Sequence, residues 1–326
     1  MMNSLENKGL MLATKFKDGY YFGKIFRYRK APQDAIYFSH KISIDDIRYI
    51  NENNINKVIL DFTYTDEIDL SCLSQIEKLE FLDIYGTISA SLLASMSSLK
   101  LLKVNSYTPI DLMKYPNLEW ISTSTPNKLV GIDSLKSIKS VSISGGKELC
   151  SQRILDEIGM IPTIDTLMIE RSEMRDLSFI KGITTLQVLI LKENGRLSSL
   201  EGLKRNLKSL RCIKIIRTPK LESLSALRDI SSLEYLYIDT CKAIPSISFL
   251  NELKNLKTAI FAQTEILDGN LTPLLNLEYG VAIPIKKKYF IIQNGVQTNV
   301  KLDQYSFREI EHGDHEIDLW RRIDTW

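Results

Sequence analysis

The 326-residue sequence has little net charge, few cysteines and only three histidines. A formal charge of +2 supplies no global pull toward nucleic acid, so such binding would need a local basic patch. The four cysteines, Cys72, Cys150, Cys212 and Cys241, are too widely spaced for a zinc or CxxC signature. They read as reduced, partly buried thiols. No stretch approaches the roughly 20 apolar residues of a membrane-crossing helix. Residues 1–9 are polar, and the apolar run at 10–13 is too short for a secretory core, so a cytoplasmic location is expected.

Catalytic motifs are missing as well. No phosphate loop, nucleophile elbow or dinucleotide fingerprint is present, and Gly145-Gly146-Lys147 lacks the flanking residues of a phosphate loop. The nearest approach to a metal set is residues 311–316, with His312 and His315, where Gly313 points to a loop and a third ligand is wanting. The sequence therefore assigns no catalytic residue, no cofactor and no metal, and the chain reads as a non-enzyme.

What the sequence has is a repeat. An aliphatic residue, two variable ones, an aliphatic, one variable and an aliphatic recur as INKVIL (55–60), LEFLDI (79–84), LKLLKV (99–104), LEWIST (118–123), IKSVSI (138–143) and IDTLMI (164–169). The phrase continues as LQVLIL (186–191), LRCIKI (210–215) and LEYLYI (233–238), with degraded copies LKTAIF (256–261) and LEYGVA (277–282). Copies are spaced by roughly 19 to 26 residues. Within a phrase the fourth and sixth positions alternate with variable ones, the period of a strand, so Leu189 and Leu191, or Leu236 and Ile238, point together into a core. Between phrases the period becomes three, as in Leu221, Leu224, Leu227, Ile230 and Leu233, which fits 3-10 or short helical turns burying one ridge. No coil of this kind buries its leucines alone, and stacking does it.

These phrases resemble the bacterial leucine-rich-repeat family, of internalin-like and SDS22-like type, over residues 55–284. The resemblance implies an α/β right-handed solenoid, a horseshoe with a parallel sheet on its concave face and short helical or 3-10 segments outside. It also implies protein binding, with a regulatory or toxin-neutralising role. The near-neutral charge disfavours a nucleic-acid partner, the lack of long apolar runs speaks against a membrane partner, and a monomer is expected. Two features depart from the family. The Asn that usually follows the strand by three residues is present only as Asn194, while Thr87, Ser172, Thr218, Cys241 and Thr264 fill that slot elsewhere, so a looser ladder is expected. A secretion signal and wall anchor are also missing from the sequence.

The flanks read as caps. In residues 1–54, Lys17-Asp18-Gly19 signals a hairpin, and Ser43 precedes Ile44, Ile47 and Ile50 in a short capped helix with Asp45 and Asp46 in its first turn. In residues 285–326, Asn294-Gly295 between 288–293 and 296–302 signals a second hairpin, and Lys286-Lys287-Lys288 reads as a solubilising edge device. The basic-aromatic run 20–30 supports a rival reading, a nucleic-acid-binding or enzyme-associated protein acting through its terminal segments, but its alternation suits a cap with one solvated side.

A partner is expected on the concave face, on the third, fifth and seventh positions of the phrases. An early zone holds Phe81, Tyr85 and Trp120 beside Asp83 and Lys103. A middle zone is serine: Ser122, Ser124, Ser140, Ser142 and Ser144. A late zone holds Met168, Ile190, Ile216, Tyr235 and Tyr237 with Lys192, Lys214 and Asp239. Clustered apolar groups on one face point to an interface.

Overall fold

The computed structural model describes residues 15–22, 34–61, 70–89, 93–203 and 208–300. The described chain forms two compact units. One runs to Thr123 and adds Lys128–Ser137, and the other takes Ser124–Asn127 and the residues from Ile138 onward. Each is a stack of repeat coils.

The first unit opens with a hairpin, β1 (Lys15–Lys17) and β2 (Tyr20–Phe22), turned by Asp18 at φ 52° and Gly19 at φ 90°. β2 pairs antiparallel with β3 (Ile36–Phe38). A parallel ladder follows: β3, β4 (Lys57–Asp61), β5 (Phe81–Ile88), β6 (Leu101–Ser106) and β8 (Trp120–Thr123). β7 (Ile110–Asp111) and β9 (Leu129–Val130) pair on their own. Helix α1 (Ile44–Glu52) lies between β3 and β4, and its N-terminus is closed by a capping box in which Ser43 and Asp46 bond each other's backbone N–H. Ile47 and Ile50 are buried as the spacing requires, but Ile44 in the first turn is 73% exposed.

The second unit carries seven parallel strands: β10 (Ser140–Ser144), β11 (Thr166–Glu170), β12 (Val188–Lys192), β13 (Cys212–Ile216), β14 (Tyr235–Asp239), β15 (Thr258–Ala262) and β16 (Tyr279–Ile283). The hairpin β17 (Phe290–Gln293) and β18 (Val296–Asn299), turned by Asn294-Gly295, forms a separate two-stranded sheet. Most return segments are 3-10 turns, such as Ser225–Asp229 and Ser248–Glu252. The 26-residue step between the phrases at 138 and 164 has room for a true helix, α2 (Gln152–Gly159). Gly159 is needed there, because a Cβ would stand 2.1 Å from the Phe179 carbonyl oxygen of the next coil.

The cores follow the phrase. Leu189, Leu191, Leu236 and Ile238 are fully buried, and the period-three leucines Leu221, Leu224 and Leu227 are buried with them. All eleven phrases become strands.

Three expectations need correction. The parallel ladder begins one strand before the first phrase, at β3, whose Ile36 and Phe38 are in register with Val58 and Leu60. Three residues before Ile36, where an aliphatic would open a phrase, the sequence has Gln33. The ladder in the second unit is regular, not loose: each step from β10 to β16 keeps five residues in register. Thr87 leaves the expected slot and is exposed, because the register between β5 and β6 shifts between Asp83 and Thr87.

The regularity has a backbone cause. Just before β13, the Arg211 carbonyl accepts from the N–H groups of both Glu234 and Tyr235 of the next coil, at 2.8 and 3.0 Å. Just after each strand from β10 to β15, residue eight of the coil donates forward, as Arg217 does to the Asp239 carbonyl at 2.8 Å. Arg171, Glu193, Arg217, Thr240 and Gln263 all reach this bond with φ near +50° (48–57°). That conformation costs a non-glycine residue roughly 1–2 kcal/mol. The ninth position adds side-chain bonds where it can. Asn194 donates to the Ile169 carbonyl and accepts from the Ser172 N–H and hydroxyl, and the Thr264 hydroxyl accepts from the Cys241 N–H at 3.0 Å.

Candidate functional site

The outward face of the second unit is ruled by the register. Its fifth-position row runs Met168, Ile190, Lys214, Tyr237, Ile260, Val281, and its seventh-position row runs Glu170, Lys192, Ile216, Asp239, Ala262, Ile283. The third-position row beside them includes Val188, Cys212, Tyr235 and Thr258.

This face has an apolar floor. Val188, Ile190, Cys212, Ile260 and Val281 are all buried. Ile190, expected to be open, is 5% exposed, since a middle-strand side chain is flanked on both sides, here by Met168 and Lys214. Above the floor Met168, Ile216, Tyr235, Tyr237 and Ala262 remain half-exposed. The Lys214 ammonium lies 6.0 Å from the Tyr235 ring centre and 5.7 Å from that of Tyr237, within cation–π range. Burial raises the pKa of the Tyr237 phenol, and the Asp239 carboxylate adds to the rise. Asp239 accepts from the Thr240 hydroxyl at 2.8 Å. Toward the strand ends Glu170 pairs with Lys192 at 3.2 Å and Glu193 with Arg217 at 2.9 Å. The arrangement is an apolar and aromatic centre with a charged margin. Ser140, Ser142 and Ser144 on β10 are half-exposed and present only small hydroxyls.

The first unit's outward face is different. Ala35, Tyr37, Ile59, Phe81 and Leu101, from four neighbouring strands, form one buried cluster against which Tyr21, Tyr85 and Trp120 pack. Phe81, expected on an open surface, is 4% exposed because it lies inside this cluster. The Asp83–Lys103 pair, 2.8 Å apart, is also largely buried, and the Lys103 ammonium stands 4.2 Å from the Tyr85 ring centre. Removing one partner of a pair so placed strands a buried charge. Tyr37 donates to Asp61 at 3.0 Å, and burial together with that carboxylate pushes its phenol pKa up. Of the expected site residues, Phe81 and Ile190 are buried, Tyr85 and Trp120 are half-exposed against the first unit's cluster, and Met168, Lys192, Lys214, Ile216, Tyr235, Tyr237 and Asp239 are half-exposed on the outward face of the second unit.

One inter-coil feature lies outside the aliphatic phrase. The residue just before each phrase is Ser, Thr or Asn in ten of eleven copies, Lys78 being the exception. Ser98, Thr163, Thr185, Ser209 and Ser232 each donate to the first-position carbonyl of the preceding coil, at 2.6–3.0 Å. Asn117 and Asn255 reach the preceding coil two residues before that position, at the Ser97 and Ser231 carbonyls. The signal was visible as a column, but it lies outside the aliphatic pattern that defined the phrase.

Among the described residues no group of three metal-capable side chains gathers, and no helix is long and apolar enough to cross a membrane. The stretch 311–316, the positions of the run 20–30 beyond Phe22, and residues 1–14 lie outside the described residues.

No known family model matches the sequence. Among solved structures, an internalin (inlF) from Listeria monocytogenes is similar at 17% identity and a TM-score of 0.50, over 76% of this chain and 79% of that one. Internalin C2 from the same species matches at 19% identity, covering 69% and 78% of the two chains, with a TM-score of 0.35. A plant peptide hormone receptor, RGFR1, solved in complex with RGF2, matches at 16% identity over 75% of this chain and 49% of its own, with a TM-score of 0.36. The strand-and-return coils, their buried leucines and the likeness to inlF together make this chain a leucine-rich-repeat solenoid.

Proposed function

We propose that the protein is a non-catalytic binding scaffold that takes a protein partner on the outward face of its second unit. One observation carries this reading: half-exposed Tyr235, Tyr237 and Ile216 stand together over a buried apolar floor, beside Lys214 and a margin of paired charges. Interfaces have this anatomy, with tyrosines as frequent anchors and a polar rim that excludes water. The regulatory or toxin-neutralising role and the cytoplasmic location are parts of the same proposal. The location is supported by the cysteines, all four of which are free thiols. Burial raises the pKa of Cys150 to about 12 and that of Cys241 to about 11, so neither is a reactive thiolate at neutral pH.

The test is affinity capture from cell lysate with the parent protein and with the Tyr235→Ala/Tyr237→Ala variant. A partner held by the parent and lost by the folded variant supports the proposal. Partners held equally by both exclude this face. A gel shift with single-stranded nucleic acid that weakens steeply with salt would favour the terminal segments instead.

A further inference from the structure

The strand columns of the second unit propagate through one repeated bond. The eighth-position N–H of each coil donates to the seventh-position carbonyl of the next. Gly145 donates to Glu170 (2.7 Å), Arg171 to Lys192 (3.0 Å), Glu193 to Ile216 (2.9 Å), Arg217 to Asp239 (2.8 Å), Thr240 to Ala262 (2.9 Å) and Gln263 to Ile283 (2.7 Å). In the coil of β16 the eighth position is Pro284, an exposed residue with no N–H to give. We propose that Pro284 is a built-in stop that guards the β16 edge against strand addition by a second copy of this chain.

The chain behaves accordingly after this residue. It leaves the strand column and returns on the other side of the coil, where Phe290 bonds Gly269 and Leu271 at 2.9 and 2.8 Å. Tyr289, 1% exposed, fills the end of the core, and its hydroxyl accepts from the Ile266 N–H at 3.1 Å. Lys286 and Lys288 both hold Glu265, at 2.7 and 2.9 Å, which fixes two cations next to the strand end. Proline and lysine are the residues by which natural sheets blunt an edge. Among the described residues no strand follows β16 in the ladder.

The bonds of β16 show what is guarded. Tyr279 and Ile283 bond back toward β15, so the N–H and C=O groups of Gly280 and Ala282, and the Glu278 carbonyl, face the other way. A second copy related by a two-fold axis at Val281 would set Gly280 against Ala282 of that copy and Glu278 against its Pro284. The outer pair then lacks a donor at each end, and the ring occupies the gap.

The test uses the full chain with Pro284→Gln, which copies Gln263 of the coil before, and Pro284→Gly, which suits positive φ without strain. Sedimentation velocity over a wide concentration range reads self-association. Amide hydrogen exchange reads Gly280 and Ala282. Two restored backbone bonds should tighten self-association by about ten- to a hundred-fold, with slower exchange at both amides in the associated form. Variants that keep the parent's circular dichroism but sediment as the parent does would overturn the proposal. So would association that leaves those amides unprotected, or a parent that already pairs as tightly. If neither variant folds, Pro284 is a folding element and not a guard, and the proposal again fails.

Discussion

The Ser232 hydroxyl donates to the main-chain carbonyl of Leu210, in the coil before it, at 2.8 Å. It is one rung of the hydroxyl ladder that precedes the phrases, and it ties two coils together at the point where each strand begins. A bond of this kind is worth about 1 kcal/mol net, more if a buried carbonyl is left without a donor. Ser232→Ala should therefore lower unfolding free energy by about 1 kcal/mol in urea. Ser223→Ala is the control, because that hydroxyl bonds the neighbouring Ser225 within its own coil. A Ser232→Ala midpoint equal to the parent's would show that the rung contributes nothing.

The repeat was legible because its aliphatic positions obey two simple periods, and burial at Leu189, Leu236 and Leu224 follows from them. The coil at β3 was not, since the polar Gln33 stands where the phrase needs an aliphatic and only pairing with β4 reveals the strand. Facing direction was also legible, but accessibility was not. Phe81 and Ile190 point outward and are nonetheless buried, because exposure depends on neighbours across strands and no single phrase records them. Asn194 was legible as a ladder residue. Its weaker substitutes did not loosen the stack, because the eighth-position N–H and the hydroxyls ahead of each phrase carry the inter-coil bonds.

Core and surface positions of the strands should separate sharply in stability. Leu189 and Leu236 are fully buried between coils, and each change to Ala should cost about 2–5 kcal/mol. Ser142 is half-exposed on β10, and Ser142→Ala should stay within about 0.5 kcal/mol. Denaturant melts that reversed this order would mean that the strand faces are assigned the wrong way round.

Glu234 makes stability depend on pH. Arg211 holds it with two bonds, at 2.6 and 2.9 Å, with Lys257 at 3.8 Å, and its pKa falls below the ordinary glutamate value chiefly through the Arg211 bond. A carboxylate depressed in the folded state adds stability that is complete above its unfolded pKa of about 4.3 and lost as pH falls through the folded value. Arg211 is partly exposed, so screening keeps the contribution to about 1 kcal/mol or less. Glu234→Gln should thus melt below the parent at neutral pH and approach it under acid. A gap that widened on acidification would contradict the assignment.

Tyr235 and Tyr237 are the residues on which the proposed interface turns. They are the third and fifth positions of β14, with the Lys214 ammonium of the strand before within reach of both rings. Both leave the core, which Leu236 and Ile238 fill. Removing the two rings takes away large, rigid contact area held at low entropy cost. The double change to Ala should therefore keep the fold, read by circular dichroism, and weaken a captured partner by about 2 kcal/mol or more if either ring is an anchor. Lys214→Ala tests the cation separately: a contribution from the charge should shrink with added salt, whereas one from packed rings should not. The control needs care. Asn255, on the return side, donates to the Ser231 carbonyl and its removal would loosen a coil, so Lys254→Ala alone, an exposed position, is the appropriate comparison. A partner bound equally by the parent, the tyrosine variant and the Lys254 variant would remove the β14 surface as the site. Attention would then move to the half-exposed Tyr85 and Trp120 of the first unit, whose neighbour Phe81 is buried in that unit's cluster.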